Sequence, residues 1–152
     1  MNPNSNFSEL LSLFEELGVR YLVVGGYALM NYTEPRYTKD IDLWIQATPE
    51  NGARVFQALL RFGAPLAGIV ADDFSTPGLI YQMGRPPIRV DVLTSLSGVE
   101  FLSCWERRAT GRFGSRDVYV ISIDDLIVNK RKVGRLQDLA DVERLEATRR
   151  EK

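Results

Sequence analysis

Histidine is absent from this 152-residue chain, and cysteine occurs once. Without imidazole there is no Ser-His-Asp or Cys-His hydrolase, no His-ligated zinc site and no phosphohistidine intermediate. General-base work then falls to carboxylate, lysine, tyrosine or metal-bound water. The lone Cys104 cannot form an internal disulfide; beside Trp105 in an apolar-periodic stretch it reads as core filler rather than as a nucleophile. No run approaches the roughly eighteen apolar residues of a membrane span. The polar opening Met1-Asn2-Pro3-Asn4-Ser5-Asn6 lacks the features of a signal peptide, so the chain is expected to be cytoplasmic and not membrane-bound. Charge of one sign is also missing: 19 Lys and Arg stand against 20 Asp and Glu, for a net charge of −1. That balance argues against nucleic-acid binding by bulk electrostatics and leaves room only for a local basic patch. A hydrophobic content of 45% is enough for a core, and one domain over residues 1–152 is expected.

What is present is a spaced set of glycines and acids. Tyr21-Leu22-Val23-Val24 reads as a buried strand, and Gly25-Gly26 follows where the strand turns into a helix and a phosphate can approach bare backbone. After thirteen intervening residues comes Asp40-Ile41-Asp42-Leu43-Trp44-Ile45. Strand alternation sends Ile41, Leu43 and Ile45 to one face and Asp40, Asp42 and Trp44 to the other. A second alternating stretch, Ile88-Arg89-Val90-Asp91-Val92-Leu93, offers a third carboxylate at Asp91. Two carboxylates about 5 Å apart repel by roughly 3 kcal/mol at an effective dielectric of 20. Three converging would approach the whole stability of a small domain, about 5 to 15 kcal/mol. Hard divalent cations answer that repulsion: Mg²⁺ or Mn²⁺ accept carboxylate oxygens and keep positions open for phosphates. Two such ions, about 4 Å apart, can clamp an in-line phosphoryl displacement.

The arrangement resembles the nucleotidyltransferase superfamily built on the polymerase-beta type core, on the match of Gly25, Gly26, Asp40, Asp42 and Asp91. The fuller strings Val23-Val24-Gly25-Gly26-Tyr27-Ala28-Leu29 and Arg36-Tyr37-Thr38-Lys39-Asp40-Ile41-Asp42-Leu43 are closer to its Gly-Gly branch, which includes lincosamide-type transferases and abortive-infection toxins. The likeness spans about residues 8–145. It implies an α/β (α+β) fold, with a small mixed, largely antiparallel sheet flanked by helices and further helices at the C-terminus. It implies transfer of a nucleoside monophosphate from a nucleoside triphosphate to a hydroxyl acceptor, with release of pyrophosphate. The acceptor is left open among a small molecule, a tRNA end and a protein side chain. Asp40, Asp42 and Asp91 would be catalytic and hold the metal, while Gly25 and Gly26 cradle the triphosphate. Lys130, on the helix after the last strand, falls where related transferases place a lysine toward the triphosphate; the other reading is a solvated helix face. In many relatives a serine stands where this chain has Gly26, which leaves backbone amides to meet the phosphate.

Arg36 and Thr38, just before the acid pair, are further candidates for phosphate or acceptor contact. Tyr27, Tyr37 and Trp44 either stack on a base or acceptor or pack internally. Arg107, Arg108, Arg112 and Arg116 form an acid-free cluster, either a contact for RNA or a solvated face. Helices are expected from Phe7 to Leu17, capped at Ser5 or Asn6 and stopped at Gly18. Others are expected after Gly26, from Thr48-Pro49-Glu50 to near Gly63, from about Ser97 to Arg108, from Ile123 to Val133 and from Leu136 to Ala147. Leu79 to Met83 and Ile88 to Leu93 read as a hairpin turning at Gly84-Arg85-Pro86-Pro87, and Val118 to Ile121 as a last strand. Residues 64–78 are open between helix and docked loop, with Asp72-Asp73 as a cap rather than a second metal site. Two rival functions are a catalytically degenerate nucleotide-binding regulator or toxin–antitoxin component, and a plain interaction domain. The complete acid set argues against the first. Because little chain remains beyond a catalytic core, a homodimer or partner protein could complete the acceptor pocket.

Overall fold

A computed structural model describes residues 4–35, 40–84 and 89–151, with side chains from residue 7 onward. The chain runs α1 (Asn4–Glu16), β1 (Tyr21–Val24), α2 (Gly25–Tyr32), β2 (Asp40–Ile45) and α3 (Pro49–Phe62). A 3₁₀ turn (Ala71–Ser75) follows, then β3 (Ile80–Met83), β4 (Arg89–Leu93), α4 (Phe101–Glu106), β5 (Ala109–Phe113), β6 (Arg116–Val120), α5 (Ile123–Val133) and α6 (Leu136–Arg150). The strands form one mixed sheet in the order β3-β4-β2-β1-β6-β5. Its β3/β4, β2/β1 and β6/β5 contacts are antiparallel, and its β4/β2 and β1/β6 contacts are parallel.

The register of β1 against β2 sorts the sheet into two faces. Tyr21 stands opposite Ile45 and Leu22 opposite Trp44, so Tyr21, Val23, Ile41, Leu43 and Ile45 share one face, and Leu22, Val24, Asp42 and Trp44 the other. The first face meets α1: the Phe14 ring lies 5.6 Å from that of Tyr21, and Phe7, Leu10 and Leu11 are buried with it. On the second face Trp44 meets the α4 ring of Phe101 edge-on at 5.0 Å. The acid-bearing face is therefore covered at one end by aromatic packing, and Trp44 is part of the core.

Local signals explain most boundaries. The Thr48 side chain caps α3 by accepting from the Asn51 amide, Pro49 opens it, and Gly63 closes it in the left-handed region at φ 88°. The Ser122 hydroxyl caps α5 by accepting from the Asp125 amide. In the segment 64–78, Leu66 to Val70 is a docked loop. Asp73 accepts from the Val70 amide at 2.9 Å, which is the capping role expected for that acid pair.

Three expectations need correction. The first helix begins at Asn4, so Ser5 and Asn6 lie inside it rather than capping it. The helix expected from Ser97 to Arg108 covers only Phe101–Glu106. Its first residues are a loop tied to α5, where Asn129 donates to the Ser97 carbonyl and a Cβ on Gly98 would sit 2.8 Å from Lys132 Cβ. Finally, β5 was not expected at all. Its inward positions are Ala109, Gly111 and Phe113, a pattern that reads as broken because glycine supplies no apolar side chain. The glycine is required there, since a Cβ on Gly111 would lie 2.6 Å from Asn31 Oδ1 and 2.8 Å from Val120 Cγ2. Of the turn expected at Gly84-Arg85-Pro86-Pro87, all but Gly84 lies outside the described residues, as does Ile88.

Candidate active site

The end of β1 and the start of α2 build one wall of the site. Gly25 has φ 68°, a left-handed conformation that side-chain-bearing residues rarely adopt. The stronger constraint is space: a Cβ on Gly25 would lie 2.1 Å from Asp42 Oδ2. The glycine lets the Asp42 carboxylate come directly against the backbone where α2 begins. Gly26 lies in the first turn of α2, which carries no side-chain cap, so that turn's amides are left without a side-chain acceptor from the cap.

The floor is formed by β2 and β4. These strands are parallel neighbours with Asp42 beside Asp91 and Asp40 beside Arg89. Strand alternation then brings Asp40, Asp42, Arg89 and Asp91 to one face. Arg89 Nη2 is 3.4 Å from Asp91 Oδ1, and Arg89 Nε is 4.0 Å from Asp40 Oδ1. Asp42 and Asp91 stand side by side across the parallel pair β2/β4. Burial first, and then the charges of Asp91 and Asp40, push the Asp42 carboxyl from 3.8 up to about 7, while the Lys130 charge acts in the opposite sense. Such a carboxyl holds a proton near neutrality unless a cation replaces it. This is the chemistry of an oxygen-donor site for a hard divalent ion, and Asp42 and Asp91 with Asp40 beside them fit that donor set. Among the described residues no group of three or more His, Cys, Asp or Glu side chains closes into a preformed metal cage. Arg89 lies against two of the three carboxylates, Asp91 and Asp40.

Lys130 is buried, not on a solvated helix face. Its Nζ lies 3.0 Å from Asp141 Oδ2 and 3.6 Å from Asp138 Oδ1, between α5 and α6. Gln137 donates to the other Asp141 oxygen, and Arg135 Nε to Asp138 at 2.7 Å, so both carboxylates are satisfied. Arg36 and Thr38, together with Tyr37 and Lys39, fall outside the described residues. Of the remaining aromatic candidates, Tyr27 packs between Phe7 and Phe113. The arginine cluster disperses into separate contacts: Arg107 on Asp125, Arg108 over the Trp105 ring at 4.0 Å, Arg112 on Asp117 and Arg116 on Glu15. Cys104 is buried beside Asp125, its thiol pushed up to about 12 mainly by burial, and so is inert.

Reading the sequence alone missed Arg89 and the Asp138–Asp141 pair. Arg89 carried a usable signal, because it precedes Asp91 by two strand positions and must share its face. Asp141 carried none, since its partner Lys130 belongs to a different helix.

A strand-glycine-helix junction against a carboxylate pair on a mixed sheet defines a nucleotidyltransferase. Residues 5–149 match the family model described as "Nucleotidyltransferase of unknown function (DUF6036)", and the chain belongs to that family. No curated protein matches it in sequence. Among solved structures it is similar to the lincosamide antibiotic adenylyltransferase LnuA in its lincomycin-bound form, with TM-score 0.57 and 17% identity over 95% of this chain and 96% of that one. It is also similar to the antibiotic-resistance factor ANT(2'')-Ia, with TM-score 0.58 and 14% identity over 96% and 88%. A third is an antigenic nucleotidyltransferase-like protein from Paracoccidioides brasiliensis, with TM-score 0.52 and 18% identity over 94% and 74%. At these identities the three structures establish the shared fold. Family membership makes the chain an enzyme that transfers nucleoside monophosphates. Among the described residues no helix is long and apolar enough to cross a membrane.

Proposed function

We propose that the transfer depends on two divalent cations, Mg²⁺ or Mn²⁺, and moves the nucleoside monophosphate of a nucleoside triphosphate onto a hydroxyl acceptor, with pyrophosphate leaving. The observation that carries this reading is the meeting of Asp42 with Asp91 against the Gly25 backbone, with the Asp42 carboxyl raised to about 7. Asp40, Asp42 and Asp91 are the oxygen donors. When bound, the cations supply positive charge opposite the phosphoryl oxygens of substrate and leaving group. The backbone amides at Gly25 and Gly26 and the positive end of α2 bind and orient the triphosphate. Asp91 takes the proton of the attacking hydroxyl. Lys130, held in place by Asp141 and Asp138, offsets the negative charge that develops on pyrophosphate. Arg36 and Thr38 are assigned to phosphate or acceptor contact by their place in the sequence.

The acceptor we favour is a small hydroxylated molecule, as in the lincomycin-bound neighbour, rather than a tRNA end. Arg107, Arg112 and Arg116 are each paired with an acid and Arg108 lies over the Trp105 ring, so the four do not form one unpaired basic patch of the kind that would support an RNA acceptor. The test is a transfer assay with each of the four α-labelled nucleoside triphosphates, Mg²⁺ or Mn²⁺, and three acceptor pools: hydroxylated antibiotics, tRNA and protein. Label entering the first pool, lost with chelator and in Asp42→Asn, is the expected result. Label entering only tRNA or protein overturns the acceptor assignment. Transfer that survives chelator overturns the metal dependence.

A further inference from the structure

We propose that Arg89 is a built-in counter-cation of the acidic face, holding Asp91 and Asp40 in the bare protein and yielding them to a divalent ion that arrives with the nucleotide. This rests on the cation site proposed above. Arg89 is the register partner of Asp40 across β2 and β4 and lies two positions before Asp91, so all three side chains emerge on the same face. Its guanidinium approaches both acids, at 3.4 Å from Asp91 Oδ1 and 4.0 Å from Asp40 Oδ1. Neither contact is the short two-pronged pairing that locks arginine to a carboxylate, so the contacts hold the acids without sealing them. The Asp91 side chain is 14% exposed and that of Arg89 31%, so the guanidinium sits in the site and not out in bulk solvent.

The charge balance gives the direction of the effect. Arg89 offsets negative charge on Asp91 and Asp40, and a divalent ion competes with it for the same oxygens. An ion bound to an Asp91 oxygen, about 2.1 Å away, would lie within a few ångströms of the guanidinium and be repelled by it. The bare site is therefore a weak divalent-ion binder. A triphosphate carries enough negative charge to reverse the competition, so the enzyme loads metal together with nucleotide and has no resident ion.

The test is Mn²⁺ binding to the full chain without nucleotide, followed by the loss of the free-ion electron paramagnetic resonance signal. It is run on the wild type and on Arg89→Gln, Arg89→Lys and Asp42→Asn. Arg89→Gln is expected to bind Mn²⁺ about tenfold more tightly than wild type, with Arg89→Lys close to wild type because it keeps the charge. A non-hydrolysable triphosphate should tighten wild-type binding far more than that of Arg89→Gln. Equal or weaker binding by Arg89→Gln, where Asp42→Asn abolishes it, overturns the role of Arg89 and leaves the metal site standing. Binding that survives Asp42→Asn, or no binding by any of the proteins at millimolar Mn²⁺, overturns both. Should a variant fail to fold, the wild type alone decides: the Arg89 Nε resonance must move when Mg²⁺ and nucleotide are added, and an unmoved resonance refutes the displacement.

Discussion

Asp42→Asn should make the bare protein more stable while destroying its activity, and the effect should grow with pH. The Asp42 carboxyl is raised from 3.8 to about 7 by burial and by the neighbouring charges of Asp91 and Asp40. In the unfolded chain it ionises near 3.8, so between that value and about 7 the folded state binds more protons than the unfolded one. Stability that is present below pH 3.8 is therefore lost as pH rises toward 7, and the full displacement corresponds to ~4 kcal/mol. Asparagine keeps the shape and cannot ionise, so it escapes this loss. The variant should match wild type near pH 4 and exceed it at pH 8 by about 2 to 4 kcal/mol, or ~5 to 10 °C in melting temperature for a chain of this size. The assay is urea and thermal unfolding of both proteins in chelator at pH 4, 5, 6, 7 and 8. Parallel stability curves would refute the reasoning, because they would mean that Asp42 ionises in the folded protein without penalty. Adding Mg²⁺ with nucleotide at pH 8 should restore wild-type stability and leave the variant unchanged.

Gly25→Ala places a methyl group on the Asp42 carboxylate and a side chain at positive φ; the conformation alone costs about 1 to 2 kcal/mol, and transfer should fall by about a hundredfold or more, read by urea unfolding and single-turnover rates. Lys130→Met leaves Asp141 and Asp138 buried around a lost charge and should destabilise by about 3 to 5 kcal/mol, with much of that recovered in Lys130→Met/Asp141→Leu, as measured by chemical denaturation. The double variant should still be poor in transfer, which separates the role of Lys130 in folding from its role in chemistry. Gly111→Ala forces a Cβ against Val120 and Asn31 and should cost about 1 to 3 kcal/mol without altering the metal dependence of transfer.

Both the match and the mismatch between sequence pattern and structure follow from the range over which each signal acts. Alternation in Asp40–Ile45 and Arg89–Leu93 is local, so the faces carrying the acids could be read directly, as could the Thr48 and Gly63 signals that bound α3. β5 could not, because the glycine demanded by Asn31 and Val120 erases its apolar alternation. The helix expected from Ser97 was shortened by a loop held on α5, a contact between segments far apart in the chain.

The sequence by itself determined which acids share a face, where a strand turns into a helix, and that histidine chemistry is excluded, since these depend on residue identity and short-range periodicity. Only the tertiary structure decided that Asp42 and Asp91 are lateral neighbours, that Gly25 is a glycine because the Asp42 carboxylate occupies the place of its Cβ, and that Lys130 is buried between two carboxylates. Those facts turn on strand register and helix docking, where close approach in space, desolvation and charge act between residues that no local pattern connects.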